Sequence, residues 1–169
     1  MSRVLVVDDH AIVRSGVRRL LADMPGLALR EAASGEEALD QVRDHVFDLI
    51  ILDLNLPGVG GLELLRRILK SNSKLAVLVF SAHTEAIYAN RALEAGARGF
   101  ISKGAAPEEF LAAVQSVLAG GTVVEATPEQ RAEWAKNLPP VWAQIAKDTG
   151  PEGEKFLALM EAGKKACPK

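Results

Sequence analysis

Predicted strands alternate with predicted helices along most of this chain, and that alternation restricts the possible folds more than any other feature. Short apolar or alternating runs are each followed by apolar residues at helical spacing. The predicted strands are Arg3–Val7, Leu27–Ala32, Leu49–Leu52, Lys74–Phe80 and Arg98–Ser102. Strict alternation indicates a parallel sheet with right-handed crossovers, which place helices on both of its faces. We therefore predict an α/β fold built on a five-stranded, doubly wound parallel sheet.

The third strand leads into DLIILDLNLPGVGG, residues 48–61, the central stretch of the pattern. Its apolar run is short and rich in β-branched residues, which indicates a strand buried on both faces. One carboxylate, Asp53, follows the run, and Pro57 and three glycines then break the chain before the next helix. Ligands of open parallel sheets bind beyond the carboxyl ends of the strands. On its own, Asp53 could equally cap the following loop.

Polar side chains also end three other predicted strands. Asp8 and Asp9 follow the first strand, Ser81 ends the fourth and Lys103 ends the fifth. The carboxyl ends of parallel strands share one edge, so these side chains should meet Asp53 in one pocket. Three carboxylates repel one another unless a cation lies between them, and one lysine cannot balance three acids. An oxygen-rich set without a His or Cys cluster favours Mg²⁺, with Mn²⁺ as the alternative.

The same pocket suits phosphoryl chemistry. A lysine and a hydroxyl beside a divalent ion form a receptor for a phosphoryl group. A carboxylate oxygen can act as the nucleophile and become an aspartyl phosphate. Asp53 is the best candidate, because it lies on the central strand between the acidic pair and the Ser81–Lys103 pair.

The overall composition is ordinary for a globular protein. Hydrophobic residues make up 49% of the chain, charged residues 25%, and the net charge of −2 creates no field that would attract nucleic acid. The single cysteine, Cys167, cannot form a disulfide within the chain. We see no signal peptide and no apolar run long enough to span a membrane, so we expect a cytoplasmic protein.

Four segments together resemble the signature segments of the response-regulator receiver domain of two-component signalling: RVLVVDDH, DLIILDLNLPGVGG, VFSAH and GFISKG. The spacing is also similar, with 44 residues from Asp9 to Asp53, 28 more to Ser81 and 22 more to Lys103. The resemblance covers roughly residues 2–121 and is closest to receivers that usually precede a LuxR-type helix-turn-helix. It implies a flavodoxin-like sheet of order 2-1-3-4-5.

The resemblance implies Mg²⁺-dependent transfer of a phosphoryl group to Asp53 from a phosphohistidine. The donor would be a sensor histidine kinase or a phosphotransfer protein. Asp9 would bind the metal directly and Asp8 largely through water, while Asn55 would offer its backbone carbonyl beside Asp53. Such a protein is not an enzyme toward other substrates, because it catalyses only its own phosphorylation and dephosphorylation.

The resemblance also implies a switch. Ser81 would hydrogen-bond the phosphoryl group, Lys103 would pair with it, and Phe100 would swing inward as Ser81 moves. The face formed by the fourth and fifth strands and helices would then change for output, with a homodimer through this face or the C-terminal helices left open. Phe100 is equally consistent with a plain core residue. Pro57 and the nearby glycines would leave the carboxylate of Asp53 open to the donor.

Other readings of single residues are also available. His10, beside the acids, is expected to be a helix-start residue or an outer neighbour of the metal ligands. Arg14, Arg18 and Arg19 are expected to form a solvated helix face. A phosphatase of the haloacid dehalogenase type is disfavoured, because it needs two acids two residues apart after the first strand. A flavin binder is disfavoured, because three acids at the sheet edge would repel its phosphate.

Residues 122–169 match the resemblance least. They carry seven Lys or Arg and seven Asp or Glu, whereas a DNA reader is expected to show a basic face. Prolines divide the segment into short predicted helices, which weakly resemble the C-terminal helices of TRAP-type solute-binding proteins. We predict a receiver domain over 1–121 and a helical C-terminal extension over 122–169. Nucleic-acid binding through this tail is not expected, and a DNA-binding regulator with an atypical output segment is the alternative.

Overall fold

The computed structural model of the chain describes residues 1–82 and 86–124. The predicted helices of the C-terminal extension lie outside these residues, and so does His83. The division into domains at 121 and 122 therefore stays a prediction.

Six strands and five helices alternate in the part of the chain that is described. The strands are β1 (Ser2–Val7), β2 (Leu27–Ala32), β3 (Leu49–Leu52), β4 (Ala76–Ser81), β5 (Gly99–Ser102) and β6 (Val123–Val124). The helices are α1 (Ala11–Leu21), α2 (Gly35–Asp44), α3 (Gly61–Ser71), α4 (Ala86–Glu94) and α5 (Pro107–Leu118).

All strand pairs of the sheet are parallel, and the strand order is β2-β1-β3-β4-β5-β6. The α/β fold and the order 2-1-3-4-5 are thereby confirmed. Strand β6 was not predicted and extends the sheet at its β5 edge, where Val123 pairs with Gly99. A strand of two residues is too short to show a period of hydrophobicity, so the sequence carried little signal for it.

Two apolar clusters cover the two faces of the sheet. Residues that alternate along each strand point to opposite faces. One face packs against α2, α3 and α4, and its fully buried side chains include Leu5, Ile50, Leu52, Leu64, Leu65 and Ile68. The other face packs against α1 and α5, through Val4, Leu49, Ile51, Leu78, Ile101 and Phe110. Strand β3 is buried on both faces, as its apolar run predicted.

Local sequence signals place the helix ends. Ser34 is the N-cap of α2, where its hydroxyl accepts from the Glu37 N–H at 3.2 Å. The Glu37 carboxylate in turn accepts from the Ala33 N–H at 2.7 Å. Gly96 follows α4 with φ of 101°, a left-handed conformation that glycine adopts without steric cost.

Candidate functional site

The sheet register brings the predicted site residues to one edge. Val7 and Leu52 are paired at the ends of β1 and β3, so Asp8 and Asp53 are the next residues on neighbouring strands. The Asp53 N–H donates to the Val7 carbonyl at 2.9 Å. On the other side, the Lys103 N–H donates to the Ser81 carbonyl at 2.8 Å. The backbone therefore aligns the ends of these strands before any side chain interacts.

Lys103 links two buried carboxylates at this edge. Its Nζ lies 2.6 Å from Asp53 Oδ2, to which it donates a hydrogen bond, and 2.6 Å from Asp8 Oδ2. Asp8 and Asp53 are each only 2% exposed. The expectation that Asp53 lies open to a donor is therefore wrong for this conformation, because residues distant in sequence pack around its side chain.

The surroundings of Lys103 favour its charged form. Burial alone lowers the pKa of this ammonium. Hydrogen bonds and Coulomb attraction from Asp53 and Asp8 outweigh burial, so the pKa of Lys103 is raised above its ordinary value of 10.5. A charged lysine at this position is suited to hold an incoming anion.

Asp8 retains capacity to bind a cation. Its Oδ1 accepts from the His10 backbone N–H at 2.8 Å. Its Oδ2 is buried and forms an ion pair with the Lys103 ammonium at 2.6 Å. One potential ligand atom each from Asp8, Asp9, His10 and Asp53 lies within 4.8 Å of the others. This donor set fits a divalent ion.

His10 lies at the start of α1 and beside the acidic residues. It is the N-cap residue of α1, which confirms the expected helix start. Its ring Nδ1 also lies 2.9 Å from Asp9 Oδ1 and 3.3 Å from Asp8 Oδ1. The ring thus borders the acidic cluster directly.

Arg14 is a part of the site that the sequence reading missed. The expectation of a solvated side chain is wrong, since the Arg14 side chain is only 16% exposed. Its guanidinium donates to the Asp8 carbonyl at 2.6 Å and, through Nε, to Glu31 Oε2 at 3.1 Å. Only one signal in the sequence could have suggested this contact: Arg14 lies about one helical turn after the N-cap His10, close to Asp8 along the chain. Arg18 and Arg19 are exposed as expected, and Arg18 also pairs with Glu31.

The remaining predicted residues lie around this centre. Ser81 is fully buried at the end of β4. Asn55 lies two residues after Asp53, and its backbone N–H donates a hydrogen bond to Asp53 Oδ1 at 3.1 Å. Phe100 is buried in the apolar cluster that also includes Ala89 and Ala92 of α4. The aromatic ring is thus in an inward position, which suits both a switch and a core residue.

Comparisons with known proteins agree with this geometry. The sequence model of the family described as response regulator receiver domain matches residues 4–115. Response regulator UvrY of Escherichia coli is 41% identical over 121 residues, which are 71% of this chain and 56% of UvrY. Response regulator GacA of Pseudomonas viridiflava is 38% identical over 165 residues, covering 96% of this chain and 76% of GacA. The chain thus spans little more than half the length of UvrY.

A solved structure has the same fold. The crystal structure of a two-component response regulator of the LuxR family from Aurantimonas sp. superposes with a TM-score of 0.73 at 38% sequence identity. The superposition covers 81% of this chain and 97% of that one. Within the described residues, no helix is both long and apolar enough to cross a bilayer.

Proposed function

This chain belongs to the response regulator receiver family, and we propose that it is a phosphorylation switch whose phosphoacceptor is Asp53. The partner is a sensor histidine kinase or a phosphotransfer protein, which carries the phosphoryl group on a histidine. The observation that carries the proposal is the Lys103 ammonium, 2.6 Å from the Asp53 carboxylate at the end of the central strand.

The proposed transfer is a direct displacement at phosphorus. A carboxylate oxygen of Asp53 attacks the phosphohistidine, the P–N bond breaks, and the imidazole leaves with the electron pair. The new P–O bond makes an acyl phosphate on Asp53. Lys103 would turn from Asp53 to the phosphoryl oxygens, an exchange of one charge-assisted hydrogen bond for another. Ser81, buried beside Lys103 on the sheet, supplies the nearby hydroxyl.

The acidic cluster is the proposed Mg²⁺ site. Asp8, Asp9, Asp53 and the backbone carbonyl of Asn55 would hold the ion, and the close grouping of the three carboxylates supports this assignment. When bound, the ion would offset the negative charge that accumulates when a phosphoryl group approaches the acids. The protein catalyses only its own phosphorylation and dephosphorylation, and we place it in the cytoplasm with its kinase.

Output would follow from the fourth and fifth strands. Ser81 and Phe100 lie on β4 and β5, whose ends pair directly. Movement of Ser81 toward a phosphoryl group would free space for repacking of Phe100 against α4. A ligand must favour one of two states by about 5.5 kcal/mol to change their ratio from 1:99 to 99:1. The altered face would bind a second copy or a downstream partner.

Acetyl phosphate tests the proposal without knowledge of the kinase. Wild-type protein incubated with acetyl phosphate and Mg²⁺ should gain the mass of one phosphoryl group, and Asp53→Ala should gain none. Asp48→Asn is the matched control, since Asp48 is an exposed acid at the opposite end of the same strand. This variant should be modified as the wild type is. No adduct on the wild type, or an adduct that survives Asp53→Ala, would refute the assignment.

A DNA-binding regulator is the second candidate. It is favoured by similarity to the crystal structure of a LuxR family DNA-binding response regulator from Silicibacter pomeroyi, which superposes with a TM-score of 0.65 at 34% sequence identity. The balanced charge of residues 122–169 weighs against a basic DNA-reading surface there. DNA binding that weakens steeply with salt, in either phosphorylation state, would support this candidate. No salt-dependent binding in either state would exclude it.

A further inference from the structure

Arg14 of helix α1 holds the peptide group that joins the two adjacent acids. Its guanidinium donates to the Asp8 carbonyl at 2.6 Å, while the Asp8 N–H donates to the Ala32 carbonyl at 3.2 Å. Asp9 follows in the acidic loop, residues 8–10, which lies between β1 and α1 and outside both elements. The orientation of the peptide between Asp8 and Asp9 therefore depends on Arg14 rather than on the sheet.

The guanidinium of Arg14 is itself held in place. Its side chain is only 16% exposed, and its Nε donates to Glu31 Oε2 at 3.1 Å. Glu31 lies on β2, where it is the register partner of Val6 on β1. The donors of a guanidinium point in fixed directions within one plane, so a bond at Nε also directs the other nitrogens. Arg14 thus links the sheet to the acidic loop in one orientation.

Arg14 donates to the main chain of the acidic loop, so it does not compete with a cation for the carboxylates. Potential ligand atoms of Asp8, Asp9 and Asp53 lie within 4.8 Å of one another. The Asp9 side chain is 32% exposed, against 3% for Asp8, so less of the protein surrounds it. A hydrogen bond that fixes such a ligand before the ion arrives strengthens binding, because less freedom is lost when the ion binds.

We propose that Arg14 is a positioning residue, which raises the affinity of the acidic cluster for its divalent ion by fixing the peptide between Asp8 and Asp9. The inference rests on the proposed Mg²⁺ site and adds to it a side chain that does not touch the ion. Charge and position predict opposite effects of removing Arg14. Loss of a positive charge near a cation site should strengthen binding if charge alone acts, whereas loss of the hydrogen bond to Asp8 should weaken it.

Binding of Mn²⁺ to the full chain tests the sign of the effect. Mn²⁺ takes oxygen ligands as Mg²⁺ does, and the electron paramagnetic resonance signal of the free ion reports its concentration without any phosphorylation. Arg14→Met should raise the Kd about tenfold, because the acidic loop is no longer held. Arg18→Met is the matched control, since Arg18 pairs with the same Glu31 but is 67% exposed. It should change the Kd by no more than about twofold.

Phosphorylation by acetyl phosphate provides a second measurement. Arg14→Met should need about tenfold more Mg²⁺ for half of its maximal rate, and its rate at saturating Mg²⁺ should stay within about twofold of wild type. A merely structural role would lower stability without changing the Mn²⁺ affinity of the folded protein. Circular dichroism checks that Arg14→Met is folded. Arg14→Lys is the second variant and should give an intermediate Kd, because an ammonium lacks the planar fork that reaches both acceptors.

The inference is overturned if Arg14→Met binds Mn²⁺ as tightly as wild type or more tightly, if Arg18→Met loses as much affinity, or if the wild type binds none. Failure of the proposed phosphoacceptor is a separate result. In that case the wild type gains no phosphoryl group, while a difference in Mn²⁺ affinity between Arg14→Met and Arg18→Met still supports the positioning role.

Discussion

Lys103 holds a charge in a nearly buried position because two carboxylates face it. The side chain is 17% exposed, and its Nζ contacts Asp8 Oδ2 and Asp53 Oδ2 at the same distance of 2.6 Å. Removal of the ammonium would leave two buried acids without compensation, which is costly in a poorly hydrated environment. Its charge therefore supports both the folded state and anion binding.

The raised pKa of Lys103 predicts that wild type is more stable than Lys103→Met and that this difference disappears at high pH. A pKa higher in the folded than in the unfolded state stabilises the fold fully below the unfolded value of 10.5. The contribution is lost as the pH rises through the higher folded pKa. Urea unfolding at increasing pH, without metal, should show the advantage of wild type over Lys103→Met shrinking above pH 10.5. Lys70→Met, at an exposed lysine, should show no such trend. A constant difference for Lys103→Met would contradict the linkage.

Gly61 begins the helix that follows the central strand, and backbone atoms surround it. A Cβ there would lie 2.4 Å from Leu54 Cα and 2.7 Å from the Asp53 carbonyl oxygen. Gly61→Ala should therefore destabilise the fold by about 1–3 kcal/mol, because backbone cannot move aside cheaply. Chemical denaturation measures this loss.

Gly16→Ala is the matched control, because Gly16 is also helical and, apart from its chain neighbours and the backbone of its own helix, nothing lies within 4 Å of its ideal Cβ position. It should gain about 0.5–1 kcal/mol through its higher helix propensity. Equal effects of the two substitutions would refute the steric explanation.

At the scale of elements, Arg14 connects helix α1 to strand β2 and to the acidic loop. Its guanidinium donates to Glu31 on β2 and to the carbonyl of Asp8 after β1. The Glu31 carboxylate also forms an ion pair with Arg18. The side-chain amide of Gln41 on α2 donates a hydrogen bond to the Glu31 backbone carbonyl at 2.6 Å. The start of α1 is thereby fixed to the edge strand of the sheet.

Arg14→Ala should lower the free energy of unfolding by about 1–3 kcal/mol, because a charged hydrogen-bond donor to half-buried acceptors is lost. Arg14→Lys should recover only part of it, since an ammonium lacks the planar fork that reaches both acceptors. Arg19→Ala, on the exposed face of the same helix, should change stability by no more than about 0.5 kcal/mol. Equal losses in Arg14→Ala and Arg19→Ala would exclude the connecting role.

At the scale of the whole molecule, the sheet includes strand β6, which lies beyond residue 121, the predicted end of the receiver domain. The Val123 N–H donates to the Arg98 carbonyl at 2.9 Å, and Val123 packs against the face of α1 and α5. Gly99 lacks a side chain where this strand approaches, since a Cβ there would lie 2.7 Å from the Val123 carbonyl oxygen. The sheet edge is therefore shaped to accept β6.

Two truncated chains test this boundary. Residues 1–125 should be more stable than residues 1–121 by about 1–2 kcal/mol, because only the longer chain keeps the hydrogen bond and the burial of Val123. Thermal and urea unfolding of the two chains provide the comparison. Both lack the rest of the tail, so its contribution cancels. Equal stabilities would show that β6 adds nothing to the fold.

Features that depend on residues close together in the sequence could be predicted, whereas contacts between residues far apart in the sequence could not. Strand β3 and the alternation of strands and helices depend on short-range pattern and were predictable from the residues, whereas the sheet order was predicted from the resemblance to receiver domains. The exposure of Arg14 was predicted wrongly, because the sequence pattern of an amphipathic helix is the same whether the arginine hydrogen-bonds to water or to Glu31. Burial of Asp53 was missed because the residues around it come from separate strands.

The sequence by itself determined the sheet and the set of residues at its edge. Parallel strands place their carboxyl ends together, so polar residues that end β1, β3, β4 and β5 become neighbours whatever the details of the loops. Only the tertiary structure decided which atoms pair. Lys103 reaches Asp53 across 50 residues of sequence, and Arg14 turns back to the Asp8 carbonyl. Such contacts depend on how side chains pack in three dimensions, and the linear pattern does not record that packing.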